Sequence, residues 1–158
     1  MRAIFLVFTV AAVAYAQQTS PHAQFPRKLC AGCAERVSIV QLIATPEKYD
    51  GHLIAVEGYL SVEFEDFGLY LSHDDYDHLN GDNAVWVDFK PGVLKGPAGM
   101  TPNDNKALQG KFVLVEGTFD ANSHGHMGAF AGAIHEISRI VVGHTRTEYE
   151  KMSGSKNK

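Results

Sequence analysis

The sequence predicts a mainly β fold: one small closed sheet of five strands, preceded by a short helix. Two observations predict it. The first is a duplication. Gly51-His-Leu-Ile-Ala-Val-Glu-Gly-Tyr-Leu60 and Gly110-Lys-Phe-Val-Leu-Val-Glu-Gly-Thr-Phe119 align without a gap, 59 residues apart. In the first copy Ile54, Val56, Leu60 and Val62 alternate with Glu57, Tyr59 and Ser61, the period-2 pattern of a strand with one buried face. The second observation is the glycine at the same offset in each copy, Gly58 and Gly117. Glycine weakens a strand interior unless the backbone bends sharply there or is closely approached, as at a barrel corner. Matching bends imply two coiled strands of one barrel.

The elements follow in order. Residues 1–16 carry one positive charge, Arg2, then an apolar run ending Ala14-Tyr15-Ala16. That is the pattern of a cleaved secretory signal, and the run is short of the ~20 apolar residues of a permanent span. The expected product is therefore exported, periplasmic or secreted, with no membrane span after cleavage. A retained anchor is the alternative. Residues 17–36 read as an irregular leader holding both cysteines, Cys30-Ala-Gly-Cys33. In an exported chain these form an oxidised local pair or remain two spare thiols. Haem attachment is excluded because Ala34, not histidine, follows the second cysteine. No βαβ pattern supports a thioredoxin-like motif, and a four-ligand zinc site would need two more ligands from elsewhere.

The domain itself is expected over residues 37–142. Ser38 can cap a short helix in which Ile39, Leu42 and Ile43 share a face, and Thr45-Pro46 ends it. The first repeated strand follows at about 52–62, a short strand at 69–72, and a third over Ala84–Phe89. Residues 73–83 between the last two read as a polar loop. Residues 90–109, rich in Pro and Gly, allow at most one helical turn near Asp104–Leu108. The second repeated strand takes about 111–119, and residues 120–128 form a loop. Ala129–Val142 reads mostly as a final strand, although Ile134, Ile137 and Ile140 fall at period 3 and make a helix the rival. Residues 143–158 are polar and read as a disordered tail.

Composition and charge narrow the function. With 45% apolar and 20% charged residues, the chain has the makeup of a globular protein. Removing the signal takes Arg2 and no acid, leaving a net charge of −5, ill suited to general polyanion binding. Between Lys48 and Lys90 there is no lysine or arginine, while Asp50, Glu57, Glu63, Glu65, Asp66, Asp74, Asp75, Asp77, Asp82 and Asp88 all lie there.

Five strands, a Gly-x-x-x-x-Val-x-Gly opening on the first and fourth, and a long link between the third and fourth resemble the OB-fold, a five-stranded Greek-key barrel. The likeness covers about residues 50–142. Two departures stand out. The helix usual between strands three and four is hard to place in the Pro/Gly-rich stretch, and a helix precedes strand one instead, where it can close the barrel bottom. An immunoglobulin-like sandwich is the runner-up but wants about seven strands. Pro46-Glu-Lys-Tyr-Asp-Gly51, Ala84-Val-Trp-Val-Asp88 and Gly125-His-Met-Gly128 are also similar to segments of a set of uncharacterised exported bacterial proteins, from which no activity carries over.

By resemblance, OB-folds bind on the face of strands two and three, between two loops. Tyr59, Tyr70 and Trp86 are the aromatics available to that surface, and barrel core is their alternative place. Stacking on single-stranded nucleic acid would use them, but phosphates need cations, so oligonucleotide binding is disfavoured. The expected function is a non-enzymatic binding module. Its candidate ligand residues are Tyr59, Tyr70, Trp86, Asp74, Asp75 and Asp77, and its partner is a protein or cationic small ligand.

Divalent-metal binding through His73–Asn83 and the His124-Gly-His126 loop is the alternative. No metal residue is assigned: the EF-hand register fails at Leu79 and Asn80, and two histidines beside Met127 make an incomplete set. Catalytic motifs are lacking: there is no Gly-x-Ser-x-Gly elbow, His-Glu-x-x-His or P-loop. Glu57 and Glu116 read as outward-facing or rim residues, not as a catalytic dyad, because an unpaired buried carboxylate is costly. No cofactor is expected.

Overall fold

The computed structural model describes residues 30–89 and 105–154. The segment expected to be a signal, residues 1–16, and most of the expected leader and Pro/Gly-rich link lie outside the described residues. Among the described residues there are six strands: β1 (Glu35–Ser38), β2 (Leu53–Leu60), β3 (Gly68–Tyr70), β4 (Ala84–Val87), β5 (Lys111–Asp120) and β6 (Ala133–Val142). The same residues hold four α-helical segments: α1 (Ile39–Ala44), α2 (His73–Asp77), α3 (Asn105–Leu108) and α4 (Arg146–Gly154).

The strands run in the order β1-β2-β3-β4-β6-β5, and β2 also pairs with β5. Strands β2 to β6 thus close on themselves, with β1 added in parallel beside β2. The β4–β6 seam is parallel, the other seams of the barrel antiparallel. The result is a mainly β, five-stranded mixed barrel in the OB-like manner that the sequence predicts.

The duplicated stretches are direct neighbours. Val56 stands opposite its own equivalent, Val115, while Ile54 faces Gly117 and Gly58 faces Val113. Each pair is therefore the other's image about a local dyad between Val56 and Val115. Ile54, Val56, Leu60, Val113, Val115 and Phe119 fill the interior together with Leu69, Val85, Val87, Ile134 and Ile140. Ile39 and Leu42 of α1 join the same core, so the helix ahead of the barrel packs against it. Its start is a capping box between Ser38 and Gln41, which satisfies two otherwise orphaned backbone donors.

Both repeated glycines answer to close neighbours. A methyl on Gly58 would lie 2.7 Å from the Tyr70 carbonyl oxygen and 2.8 Å from Ile39 Cδ1. On Gly117 it would lie 2.6 Å from the His135 carbonyl oxygen. Opposite Gly117, β6 carries a bulge. Glu116 pairs with Arg139 and Thr118 with His135, leaving Glu136, Ile137 and Ser138 to face one residue. Glu136 takes φ 50° there. This bulge turns the isoleucines to a spacing of three while the segment stays a strand, which removes the helix rival for 129–142.

Three sequence expectations are corrected. The leader ends earlier than residue 36, because Glu35 and Arg36 pair with Ile54 and Ala55 in β1. The stretch 73–83 is not a plain loop but α2 followed by a 3-10 turn, Gly81–Asn83; Ser72 caps α2 by accepting from the Asp75 amide. In the region read as a tail, Arg146–Gly154 is helix α4, with its described side chains exposed. The Cys30–Cys33 pair is a disulfide. Among the described residues no helix is long and apolar enough to cross a membrane.

Candidate functional site: a packed aromatic face with a carboxylate rim

Strand β3 is buried at all three residues because it is covered from both sides. Its inner face meets the barrel core, and its outer face carries a second small core of Tyr70, Ala84 and Phe130, flanked by Tyr59, Tyr76 and Trp86. Register brings these together: Tyr59 pairs with Tyr70 across β2–β3, and Gly68 with Trp86 across β3–β4. Ring centroids then run in an unbroken chain. His73 to Tyr59 is 4.9 Å, Tyr59 to Tyr76 5.3 Å, Tyr76 to Tyr70 5.6 Å and Tyr70 to Phe130 6.2 Å. Beyond Phe130 come Trp86 at 5.3 Å, then Phe67 at 5.5 Å and Phe89 at 5.8 Å. Most of these contacts are tilted or edge-on, the favoured geometry for aromatic pairs, each contributing ~0.5–1.5 kcal/mol beyond area burial.

Tyr59, Tyr70 and Trp86 thus share one face, outside the barrel interior. They do not form an open stacking platform. Tyr70 is 3% exposed, and the 124–130 loop lies on Trp86. A methyl on Gly125, whose φ is 63°, would sit 2.7 Å from the indole.

The carboxylates around this face fall into two groups. Some are fixed by bonds to the fold. Tyr70 donates its hydroxyl proton to Asp66 at 2.9 Å, and Tyr76 donates to Glu63 at 2.8 Å, where Gln109 Nε2 also donates at 3.0 Å. Burial, followed by the bond to Asp66, pushes Tyr70 well above the ordinary phenol range. The bond to Glu63, followed by burial, pushes Tyr76 up to about 12. Neither hydroxyl therefore releases a proton near neutrality. Asp75 accepts from Ser72 Oγ, from Asn80 Nδ2 at 3.0 Å and from Asn83 Nδ2 at 2.8 Å. These bonds, the Ser72 one foremost, hold its carboxyl below the usual range. Asp75 stitches α2 to the turn that follows it.

The other group faces solvent. Asp74 and Asp77 are exposed, and Asp77 lies 3.0 Å from His73 Nδ1. One ligand atom each from His73, Asp74 and Asp77 fall within 4.8 Å of one another. Among the described residues this is the group that could hold a metal ion; His124 and His126 are not in it. His124 Nδ1 lies 2.9 Å from the Phe130 carbonyl oxygen, and His126 Nε2 is 3.4 Å from Glu65.

The ten acids of residues 49–89 do not gather on one side. Asp50 accepts from the Ala121 amide, and Asp88 lies 3.1 Å from His135 Nδ1. Glu57 pairs with Arg36, as its repeat partner Glu116 pairs with Arg139 at 2.9 Å. Glu57 borders a groove of about 420 Å³ that also holds Phe112 and Leu114, and Glu116 lines a second one beside Ala55 and Arg139. Glu63, Glu65, Asp66, Asp74, Asp75 and Asp77 are the ones tied to the aromatic face. Phe67, Tyr76 and Phe130 belong to that face too. Only Tyr76 had a legible signal, its helical spacing from His73.

Comparison with known proteins adds little to this geometry. No family model matches the chain, and no curated protein matches it. One solved structure is similar: a DUF3299 family protein from Pseudomonas aeruginosa PAO1. It shares 12% identity at a TM-score of 0.44, over 73% of this chain and 99% of the other. A likeness that faint carries nothing further to this chain.

Proposed function

We propose that the chain is an exported, non-enzymatic binding module. Its working surface is the acid-rimmed aromatic face, and its ligand is a protein segment or small molecule carrying positive charge. One observation carries this reading. Glu63, Glu65, Asp66, Asp74 and Asp77 surround a rigid ring cluster, and among the described residues their basic ion-pair partners are histidines. An unneutralised acidic patch attracts cations and repels phosphate. Burial of Tyr70 and the loop over Trp86 also remove the open ring faces that base stacking needs. Export is supported by the signal-like start and by the Cys30–Cys33 disulfide, a bond at home in oxidising compartments.

The test is calorimetric titration with pentalysine and with pentaglutamate. The reading expects pentalysine to bind, to weaken as salt rises, and to lose affinity when Asp74 and Asp77 become asparagine. Equal binding of both peptides, or pentalysine affinity unchanged in Asp74→Asn/Asp77→Asn, overturns it.

The second reading, a divalent cation at His73, Asp74 and Asp77, is favoured by the 4.8 Å convergence of their ligand atoms. Imidazole with carboxylates suits zinc. Titration with zinc and with calcium decides it: heat abolished by His73→Ala supports the site, and heat no larger than the blank excludes it.

A further inference from the structure

We propose that contact with the partner is made by three apolar prongs on the loops around the aromatic face, Phe64, Leu79 and Met127, and that they pack against the leucine-rich face of a lysine-bearing amphipathic helix of a partner protein. The inference rests on the reading above and narrows it. Among the large hydrophobic side chains of the described residues, Phe64 and Met127 at 90% and Leu79 at 79% are the most exposed; Tyr149 follows at 67%. All three sit on the loops that surround the ring cluster.

The prongs are held up by their backbones. Phe64 and Glu65 form the tip of a two-residue turn closed by Glu63 and Asp66, and Glu65 has φ 61°. Leu79, just after α2, has φ 52°, and Met127 has φ 54° between Gly125 and Gly128. Three of the four described non-glycine residues with positive φ are therefore on these loops, the fourth being Glu136. Side chains other than Asn, Asp and Gly enter that region at a cost. Leu79 and Met127 sit where asparagine would be more comfortable, and each turns its apolar side chain to water. Neither choice serves the stability of the fold, and both serve a surface that will be covered.

The three loops form one platform. Tyr76 next to the Leu79 turn bonds Glu63 at 2.8 Å. His126 beside Met127 lies 3.4 Å from Glu65 beside Phe64. Gly81 packs against the Ala129 carbonyl, with no room for a methyl between them. Each loop thus touches the other two. Exposed apolar anchors in a polar rim are the anatomy of a protein-binding patch. The rim here is Glu63, Glu65, Asp74 and Asp77, all exposed, which selects a cationic partner over an acidic one.

The test uses a 14-residue leucine–lysine peptide with helical spacing, a matched serine–lysine peptide, and the variant Phe64→Ser/Leu79→Asn/Met127→Asn. Because asparagine suits the two left-handed positions, the variant is expected to melt no lower than the wild type. It should bind the leucine–lysine peptide at least about tenfold more weakly, the scale of lost interface anchors, with its weaker serine–lysine binding unchanged. Full retention of leucine–lysine affinity overturns the prongs. If Asp74→Asn/Asp77→Asn still weakens both peptides in that case, the acidic-face reading survives without them. Prong-dependent binding to phosphatidylcholine vesicles, or prong-dependent dimerisation in sedimentation velocity, would overturn the proposal by naming a lipid surface or a second copy as the occupant.

Discussion

Replacing Gly58 or Gly117 by alanine tests whether the barrel is built as described. At Gly58 the new methyl carbon would lie 2.7 Å from the Tyr70 carbonyl oxygen, 2.8 Å from Ile39 Cδ1 and 2.8 Å from Leu69 Cγ. At Gly117 it would lie 2.6 Å from the His135 carbonyl oxygen and 2.7 Å from Ile134 Cγ2. In each case the nearest atom is backbone, fixed by a neighbouring strand, and cannot swing away as a side-chain end can. Relief requires moving β3 and α1, or the β6 bulge. Forcing one extra carbon into a packed interior costs about 1–3 kcal/mol, more than the ~0.5–1 kcal/mol that alanine's lower backbone entropy returns. Both variants should therefore lose about 1–3 kcal/mol in urea denaturation with the slope unchanged. Val40→Ala, at an exposed position of α1, should stay within about 0.5 kcal/mol. If both glycine variants match the wild type within that margin, the close approaches of β3 and α1 to Gly58 and of β6 to Gly117 are wrong.

Two further outcomes follow from the site. Tyr76, at about 12 against an ordinary value of 10.0, ionises later in the folded chain than in the unfolded one. Its contribution to stability is full below pH 10 and is lost between about pH 10 and 12, as the unfolded state releases its proton first; absorbance titration should show two late phenols, of which Tyr76→Phe removes the earlier and leaves that of Tyr70. Asp75→Ala should cost about 1–3 kcal/mol by leaving Ser72, Asn80 and Asn83 without their shared acceptor, whereas Asp74→Asn and Asp77→Asn should change stability by less than about 0.5 kcal/mol. Since the Asp75 carboxyl is depressed below 3.8, its stabilising charge is present above that pH and fades as the pH falls further.

What could be read in advance was local and periodic. The alternation of Ile54, Val56 and Leu60 marks a half-buried strand in any context, and a glycine at matching offsets marks a place where something comes close. Ser38 announces its helix through hydrogen bonding within four residues. The failures were long-range. β1 is strand only because Glu35 to Ser38 lie along Ile54 to Glu57, and nothing in Glu-Arg-Val-Ser shows that. The β6 bulge turned three isoleucines to a helix-like spacing, a signal created by the pairing partner Gly117. At the site, Tyr59, Tyr70 and Trp86 were recognisable as strand aromatics, but not that Phe130 and Gly125 return from a distant loop to cover them. The three aspartates near α2 look alike in sequence. Only the positions of Asn80 and Asn83 separate Asp75, which is structural, from Asp74 and Asp77.

The central claim is that the acid-rimmed aromatic face, and no other surface, receives a cationic ligand. Backbone amide NMR during titration with the leucine–lysine peptide tests it most directly. The account predicts saturable shifts confined to residues 63–66, 73–79 and 124–130. Shifts centred instead on Arg36, Phe112, Leu114 and Arg139, at the groove bordered by Glu57, would contradict it.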